Sequence, residues 1–453
     1  MNRTLIRNAR LDGRIVDIAL AGGRIADIGP GLRGEELFDA RGRPVLPGLH
    51  DHHIHLLATA AQRDSILLER CADGDAVARA LRVAPPGRGW LRATGYHERI
   101  AGPLDARALD ALIPDRPLRV QHQTGALWML NGPALAALGT TDWPEGAERD
   151  ALGAPTGRFF RCDPWLSDRI GRTPPDLAAL GRALAAQGVT GVTDASVSTD
   201  ASAATLIVGT RLPLRLTLMS GGPLPPSPDY TTGPVKILLD DDRLPALDAI
   251  VAAITDARRQ GRAVAAHCVT AGELAMMLAA FEEAGARPGD RIEHGSIIPA
   301  DAIPVLRALG LTVVTQPGFV ATRGERYRAL VDPAEQPDLY RAASLVAAGV
   351  PLGGSSDAPY GDPDPWAGIR AAVVRRTQGG NPLGLAEALS PPRALALYLA
   401  PADAPGGPVR RIVPGAPADL CVLQAPIGRI LAEPHLAPVA ATIQGGVPVH
   451  VAS

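Results

Sequence analysis

Between residues 45 and 356 the chain alternates short apolar runs with stretches of helical periodicity, and this narrows the possible folds more than any other feature. Strands that alternate with helices imply βα units and a parallel sheet. Eight runs read as strands: Val45–His53, Thr190–Asp194, Pro213–Met219, Pro234–Leu239, Ala263–His267, Arg291–His294, Leu311–Gln316 and Val350–Ser356. Helical patterns cover Asp176–Gln187, Leu244–Gln260, Ala271–Ala284, Ala300–Leu309 and Trp366–Arg376. Eight strands in this order suit a closed (β/α)8 barrel rather than an open sheet. Such a barrel takes about 250 residues alone and more than about 400 with insertions. A chain of 453 residues therefore leaves room for a second, small domain.

The two ends supply that domain. Ile15–Leu20 and Arg24–Ile28 flank Gly22-Gly23, a two-residue hairpin signal. The last segment, from about Val409 to Val451, again shows short apolar runs broken by Gly and Pro. Neither end can bury a face alone; together they can form one small sheet or sandwich. The expected division is a composite β domain from residues 1–46 and 408–453, and a barrel over 47–407. A Pro/Gly-rich insertion at about 90–165 interrupts the repeat after the first strand.

Composition excludes several functional classes. With 46% hydrophobic and 20% charged residues the chain is that of a soluble globular protein with a sizeable core. Lys+Arg of 45 against Asp+Glu of 47 gives a net charge of −2, which does not suit nucleic acid or a polyanionic partner. Cys71, Cys162, Cys268 and Cys421 are far apart and form no CxxC pair, as expected of a reducing compartment. The first residues lack the apolar core of a signal peptide, and no run of 18 apolar residues occurs. The expectation is a cytoplasmic protein without a membrane span, acting on a small molecule. Lys236 is the only lysine in the chain.

Ligand-type residues gather at the strand ends. In Pro47-Gly48-Leu49-His50-Asp51-His52-His53-Ile54-His55, His53 and His55 are two apart and share a strand face. They can project together toward the barrel mouth, where barrel enzymes place their sites. His50 and His52 have the same spacing, so spacing leaves the choice of pair open. His267 ends the fifth strand, His294 the sixth and Asp357 the eighth. One histidine at a strand end is usually structural; three strand ends that each finish in a ligand-type residue point to a divalent metal. Lys236 sits in the fourth strand, in Gly-Pro-Val-Lys-Ile-Leu-Leu-Asp. An ammonium has no lone pair for a metal. A neutral lysine amine can instead react with CO2 to give an anionic carbamate, which arginine cannot do. The alternative is a snorkelling lysine or a salt bridge to Asp240.

Taken together, these segments resemble the amidohydrolase superfamily, and within it amidohydrolase family 3, the YtcJ-like group. PGLHDHHIH resembles the family's first strand, GPVKILLD its VK strand, RIEHGSII its EH strand and GGSSDAPYGDPDPW its SD-x-P segment. GAPADLCVL and TIQGGVPV resemble strands of its terminal β domain. The resemblance implies that His53 and His55 bind one metal with Asp357. It implies that Lys236, N6-carboxylated, bridges to a second metal held by His267 and His294. Two zinc ions are expected, though the ligand set would also take iron, manganese or cobalt. Many relatives carry a glycine where this chain has Asp241, and a histidine in a GH…N segment that here reads Gly-Ala-Leu-Trp-Met-Leu-Asn up to Asn131. Both departures bear on the substrate pocket and leave the ligand set intact.

The expected reaction is hydrolysis of a non-peptide C–N bond in an amide, an N-acyl or N-formyl amine, or a cyclic amide. Asp357 is the expected general base and acid. Candidate substrate contacts are Tyr96, His97 and His122 in the insertion, and Gln316 at the end of the seventh strand. Two rivals remain: a mononuclear deaminase of a cyclic amidine or nucleobase, and a metal-free binding scaffold. Relatives are often dimers, but no feature of this sequence decides oligomeric state.

Overall fold

In the computed structural model, residues 3–69, 71–83, 89–171, 174–240, 243–433 and 435–452 are described. Asp241 lies outside them. The chain divides into two compact units, residues 1–56 with 177–453, and residues 57–176. No helix among the described residues is long and apolar enough to cross a membrane.

The first unit holds the barrel. Its eight strands, Leu49–Ile54, Val189–Asp194, Arg215–Ser220, Thr231–Ile237, Val264–Cys268, Arg291–His294, Thr312–Thr315 and Leu352–Gly354, pair in parallel in that order. Each interval anticipated from the apolar runs overlaps one of them, with ends that differ by up to a few residues. Closure comes from the segment after the eighth strand. The amide of Asp357 donates to the carbonyl of His53 at 2.8 Å, and the amide of His55 to that of Ala358 at 2.8 Å. Helices such as Leu247–Arg259 and Ala271–Ala284 fill the intervals between strands, and Pro365–Val374 follows the last of them. Ala271–Ala284 begins with a full capping box between Thr270 and Glu273.

The apolar run Val45–His53 is not one strand. Val45–Pro47 pairs antiparallel with Leu420–Leu423 in a sheet at the chain ends, whereas Leu49–Ile54 opens the barrel. The switch falls at Gly48, where the local pattern stays apolar and hides it. A β-carbon built on Gly48 would lie 2.2 Å from the Thr190 side chain, so the chain passes from one sheet to the other only without a side chain there. The terminal domain itself is two four-stranded sheets, one from Thr4–Leu11, Arg14–Ala21, Arg24–Gly29 and Glu35–Asp39, the other from Val45–Pro47, Leu420–Leu423, Val439–Gln444 and Val447–Val451. Their apolar faces share one core of Ile6, Ile18, Leu20, Val45, Leu420 and Ile443. The Gly22-Gly23 hairpin turn has positive φ at both residues, 57° and 74°, as a type I′ turn requires.

The second unit is wider than the Pro/Gly-rich stretch that marks it in the sequence, since it also takes in the strand Ile66–Leu67 and the helix Gly74–Arg82. Its six strands run in the order Ala147–Arg149, Pro155–Phe160, Leu127–Leu130, Leu118–His122, Leu91–Tyr96 and Ile66–Leu67. Asn131 organises it. Its fully buried carbonyl oxygen accepts from the amides of Leu118 and Ala134, and its amide donates to the carbonyls of Ile113 and Arg116.

Gly48→Ala should destabilise the protein by about 1–3 kcal/mol, the usual cost of overpacking a filled site. Gly428→Ala, in a helix where an added β-carbon meets nothing within 4 Å, should leave it unchanged or slightly more stable. Thermal melts of both variants check this; equal melting temperatures would mean that Thr190 yields without cost.

Candidate metal centre

The C-terminal strand ends of the barrel bring three ligand atoms together. His55 Nε2 lies 3.1 Å and His53 Nε2 3.5 Å from Asp357 Oδ1. The ligand atoms of His53, His55 and Asp357 all fall within 4.8 Å of one another. Around a tetrahedral ion with bonds of roughly 2.1 Å, ligand atoms sit roughly 3.4 Å apart, which these spacings bracket. The pair with the other register, His50 and His52, does not take part. His50 Nε2 faces Thr193 Oγ1 at 2.9 Å.

The remaining ligand candidates lie on neighbouring strand ends. The rings of His53 and His294 have centroids 4.9 Å apart, and those of His294 and His267 are edge to face at 4.4 Å. Lys236 is buried, with 4% of its surface exposed. Its Nζ, His53 Nε2 and Asp357 Oδ1 are all sealed from solvent without a hydrogen-bond partner among the described residues. Leaving buried polar atoms without a partner costs about 1–3 kcal/mol each, more if charged, so three at one mouth mark a place built for something else.

The electrostatics suit a cation. Burial, with the positive charge of Lys236 beside it, holds His53 down at about 4. Burial also holds His294 at about 3 and lowers His267. Each ring stays neutral and keeps a lone pair, as a metal ligand must. Burial pushes Asp357 up, but its close approach to the His55, His294 and His53 rings outweighs it and keeps the carboxyl ionised. Burial lowers Lys236, which favours the neutral amine. His294 and Asp357 both have positive φ, 69° and 53°. Non-glycine residues hold that conformation where surrounding structure imposes it, often at functional sites. The donor set, neutral imidazoles with an ionised carboxylate, fits a divalent ion.

Partners behind the ligands fix their orientation. Ser355 Oγ donates to the carbonyl of Thr315, so it accepts from Gln316 Nε2 at 3.0 Å, which turns Gln316 Oε1 toward His294 Nδ1 at 3.0 Å. His294 then carries its proton on Nδ1 and leaves Nε2 free. Gln316 was anticipated as a substrate contact, but it is fully buried and both ends of its amide are taken. Ser196 Oγ holds His55 Nδ1 at 3.0 Å. Asp194, which the sequence did not single out, accepts from the amides of Leu56 and Ser196 and sets that loop. Glu293 was also passed over; its carboxylate bonds His53 Nδ1 on one side and Arg291 Nε on the other. Its signal was a charged residue two positions from an arginine inside a buried strand.

The other anticipated contacts belong to residues 57–176. Tyr96 is fully buried, and its hydroxyl donates to the carbonyl of Gly102 at 2.5 Å. His97, Glu98 and His122 form a second group of ligand-type side chains, with His122 Nε2 3.0 Å from Glu98 Oε2. His97 Nδ1 is committed to the start of a short helix, accepting from the amide of Arg99. This group is bonded within its own unit.

A (β/α)8 barrel with such a cluster at its C-terminal strand ends is the architecture of a metal-dependent hydrolase. Residues 36–450 match the amidohydrolase family, and the chain belongs to it. It is 26% identical over 434 residues to YtcJ of Bacillus subtilis (strain 168), covering 80% of each chain. It is 26% identical over 467 residues to the N-substituted formamide deformylase of Arthrobacter pascens, covering 86% of each. Its fold matches an uncharacterized metal-dependent hydrolase from Pyrococcus horikoshii OT3 with a TM-score of 0.74 at 20% identity, over 94% of this chain and 96% of that one.

Replacing Lys236 by Met removes an unpartnered buried amine. The metal-stripped variant should melt at or above the temperature of metal-stripped wild type, while retaining less metal after reloading. A metal-stripped variant that melts well below wild type would show that the amine has a structural partner after all.

Proposed function

We propose that the chain hydrolyses a C–N bond of a small amide, of the N-acyl or N-formyl amine class, with two divalent ions, zinc foremost, at the barrel mouth. The observation that carries this reading is the buried, unpartnered Nζ of Lys236 beside an ionised carboxylate and neutral imidazoles. Burial shifts the amine toward its neutral form, and a neutral amine can attack CO2. An N–C bond forms, a proton leaves to solvent, and the side chain becomes an anionic carbamate able to bridge two ions. His53, His55 and Asp357 would hold one ion, and His267 and His294 the other, with the carbamate between them. Ions held there supply Lewis acidity toward the substrate carbonyl and acidify a water.

The chain's own residues do the rest. Asp357, held ionised, accepts the proton of the attacking water. As the C–N bond breaks, it passes that proton to the departing amine, so the carboxylate is restored. The neighbouring imidazoles of His53 and His55 lie 3.5 and 3.1 Å from the carboxylate. The likeness to a formamide deformylase supports the choice of N-formyl amines as the first substrates to try.

Wild type prepared with bicarbonate and zinc should carry about two ions per chain by elemental analysis, and Lys236→Ala one or fewer. It should release formate from N-substituted formamides, and Asp357→Asn should lower kcat by about 10³-fold or more, the scale of losing a general base together with a metal ligand. One ion in both proteins, with ammonia released from cytosine-type substrates, would overturn the binuclear amide reading in favour of a mononuclear deaminase. No ion in either would leave a binding scaffold.

A further inference from the structure

We infer that Glu293, backed by Arg291, is the positioning residue that sets how tightly the ion at His53 is held. The inference rests on the reading of the barrel mouth as a metal centre. A carboxylate only accepts hydrogen bonds, so its contact with His53 Nδ1 places the ring proton there. Nε2, the atom facing Asp357, keeps its lone pair. Both side chains are fully buried, so no solvent competes for either. Arg291 Nε donates to the second oxygen of Glu293 at 2.5 Å and its Nη2 to the carbonyl of His52 at 3.1 Å. The guanidinium thus ties the carboxylate to the backbone of the strand that carries His53.

His294 and His55 are held differently. His294 leans on the neutral amide of Gln316, and His55 on the hydroxyl of Ser196. A charged acceptor pulls on the Nδ1 proton more strongly than a neutral one and makes Nε2 the better donor. His53 is therefore the most strongly donating of these three imidazoles, and it is the one with a carboxylate behind it. A plain core ion pair between Arg291 and Glu293 would need no contact with His53; here one oxygen serves each partner.

The test uses full-length protein. Zinc affinity is measured by chelator competition, and the cobalt-substituted protein gives a ligand-field spectrum. Glu293→Gln should weaken the tightest-bound ion by about 10–100-fold, the usual effect of removing an outer-sphere carboxylate, and should alter the cobalt bands. The exchange strands Arg291 without its counter-charge and can impair folding. Arg291→Met/Glu293→Gln removes both charges and should fold while showing the same loss of affinity and the same spectral change. If either variant folds and binds zinc as wild type does, with unchanged cobalt bands, the pair is only structural and the inference is overturned. If wild type itself binds no metal, the reading of the centre fails instead, which this comparison separates.

Discussion

The amide of Asp357 and the carbonyl of His53 meet at 2.8 Å, and much of the molecule depends on that contact. It joins the segment after the eighth strand to the first and so closes the barrel. It also places the Asp357 carboxylate against the imidazoles that follow from the same strand. Asp51 reinforces the seam, accepting from the amide and hydroxyl of Ser356 at 3.0 and 2.5 Å and from the amide of His53. Burial raises Asp51 to about 6 even against those bonds. Folding and site assembly are therefore one event. A chain that failed to close would lose its carboxylate ligand and its barrel together.

Closing the barrel seals charge in a place with little water. Lys236, Arg291, Glu293 and Asp357 all end up buried at or below the mouth. Buried charges are tolerated when each finds an opposite within reach. Arg291 and Glu293 do this directly. Lys236 and Asp357 do not complete it, since each keeps an atom without a hydrogen-bond partner among the described residues. On the metal-centre reading, this imperfect compensation leaves the site an affinity for a cation that full satisfaction within the protein would remove.

Much of this was legible in the sequence, and the misses share a cause. The eight apolar runs, the capped helix at Ala271–Ala284 and the Gly22-Gly23 turn rest on local patterns that local physics enforces. The histidines and Asp357 were legible as ligand types because they end successive strands. What was hidden depends on contacts between residues far apart in sequence. Spacing left the choice of His53 and His55 over His50 and His52 to the family resemblance, and in physical terms it depends on the approach to Asp357, some 300 residues on. The sheet switch at Gly48 needs Thr190 and Asp419. Gln316 looked like a free polar residue at a strand end because its partners His294 and Ser355 come from two other strands. Asn131 stood out only as part of a motif, and its role in the fold appears from four bonds that converge on it from three segments.

The same view explains why the mouth holds a lysine and no second arginine. An arginine there would stay cationic whatever happened around it. A lysine that becomes a carbamate turns from cation to anion. On the proposed reading, Arg291 would then stand alone against Glu293, Asp357 and the carbamate, and the sealed mouth would carry an excess of negative charge for divalent ions to offset. Carboxylation and metal binding would favour one another for that reason. With every other Lys/Arg position in the chain filled by arginine, Lys236 is the one side chain that the proposed carboxylation could use.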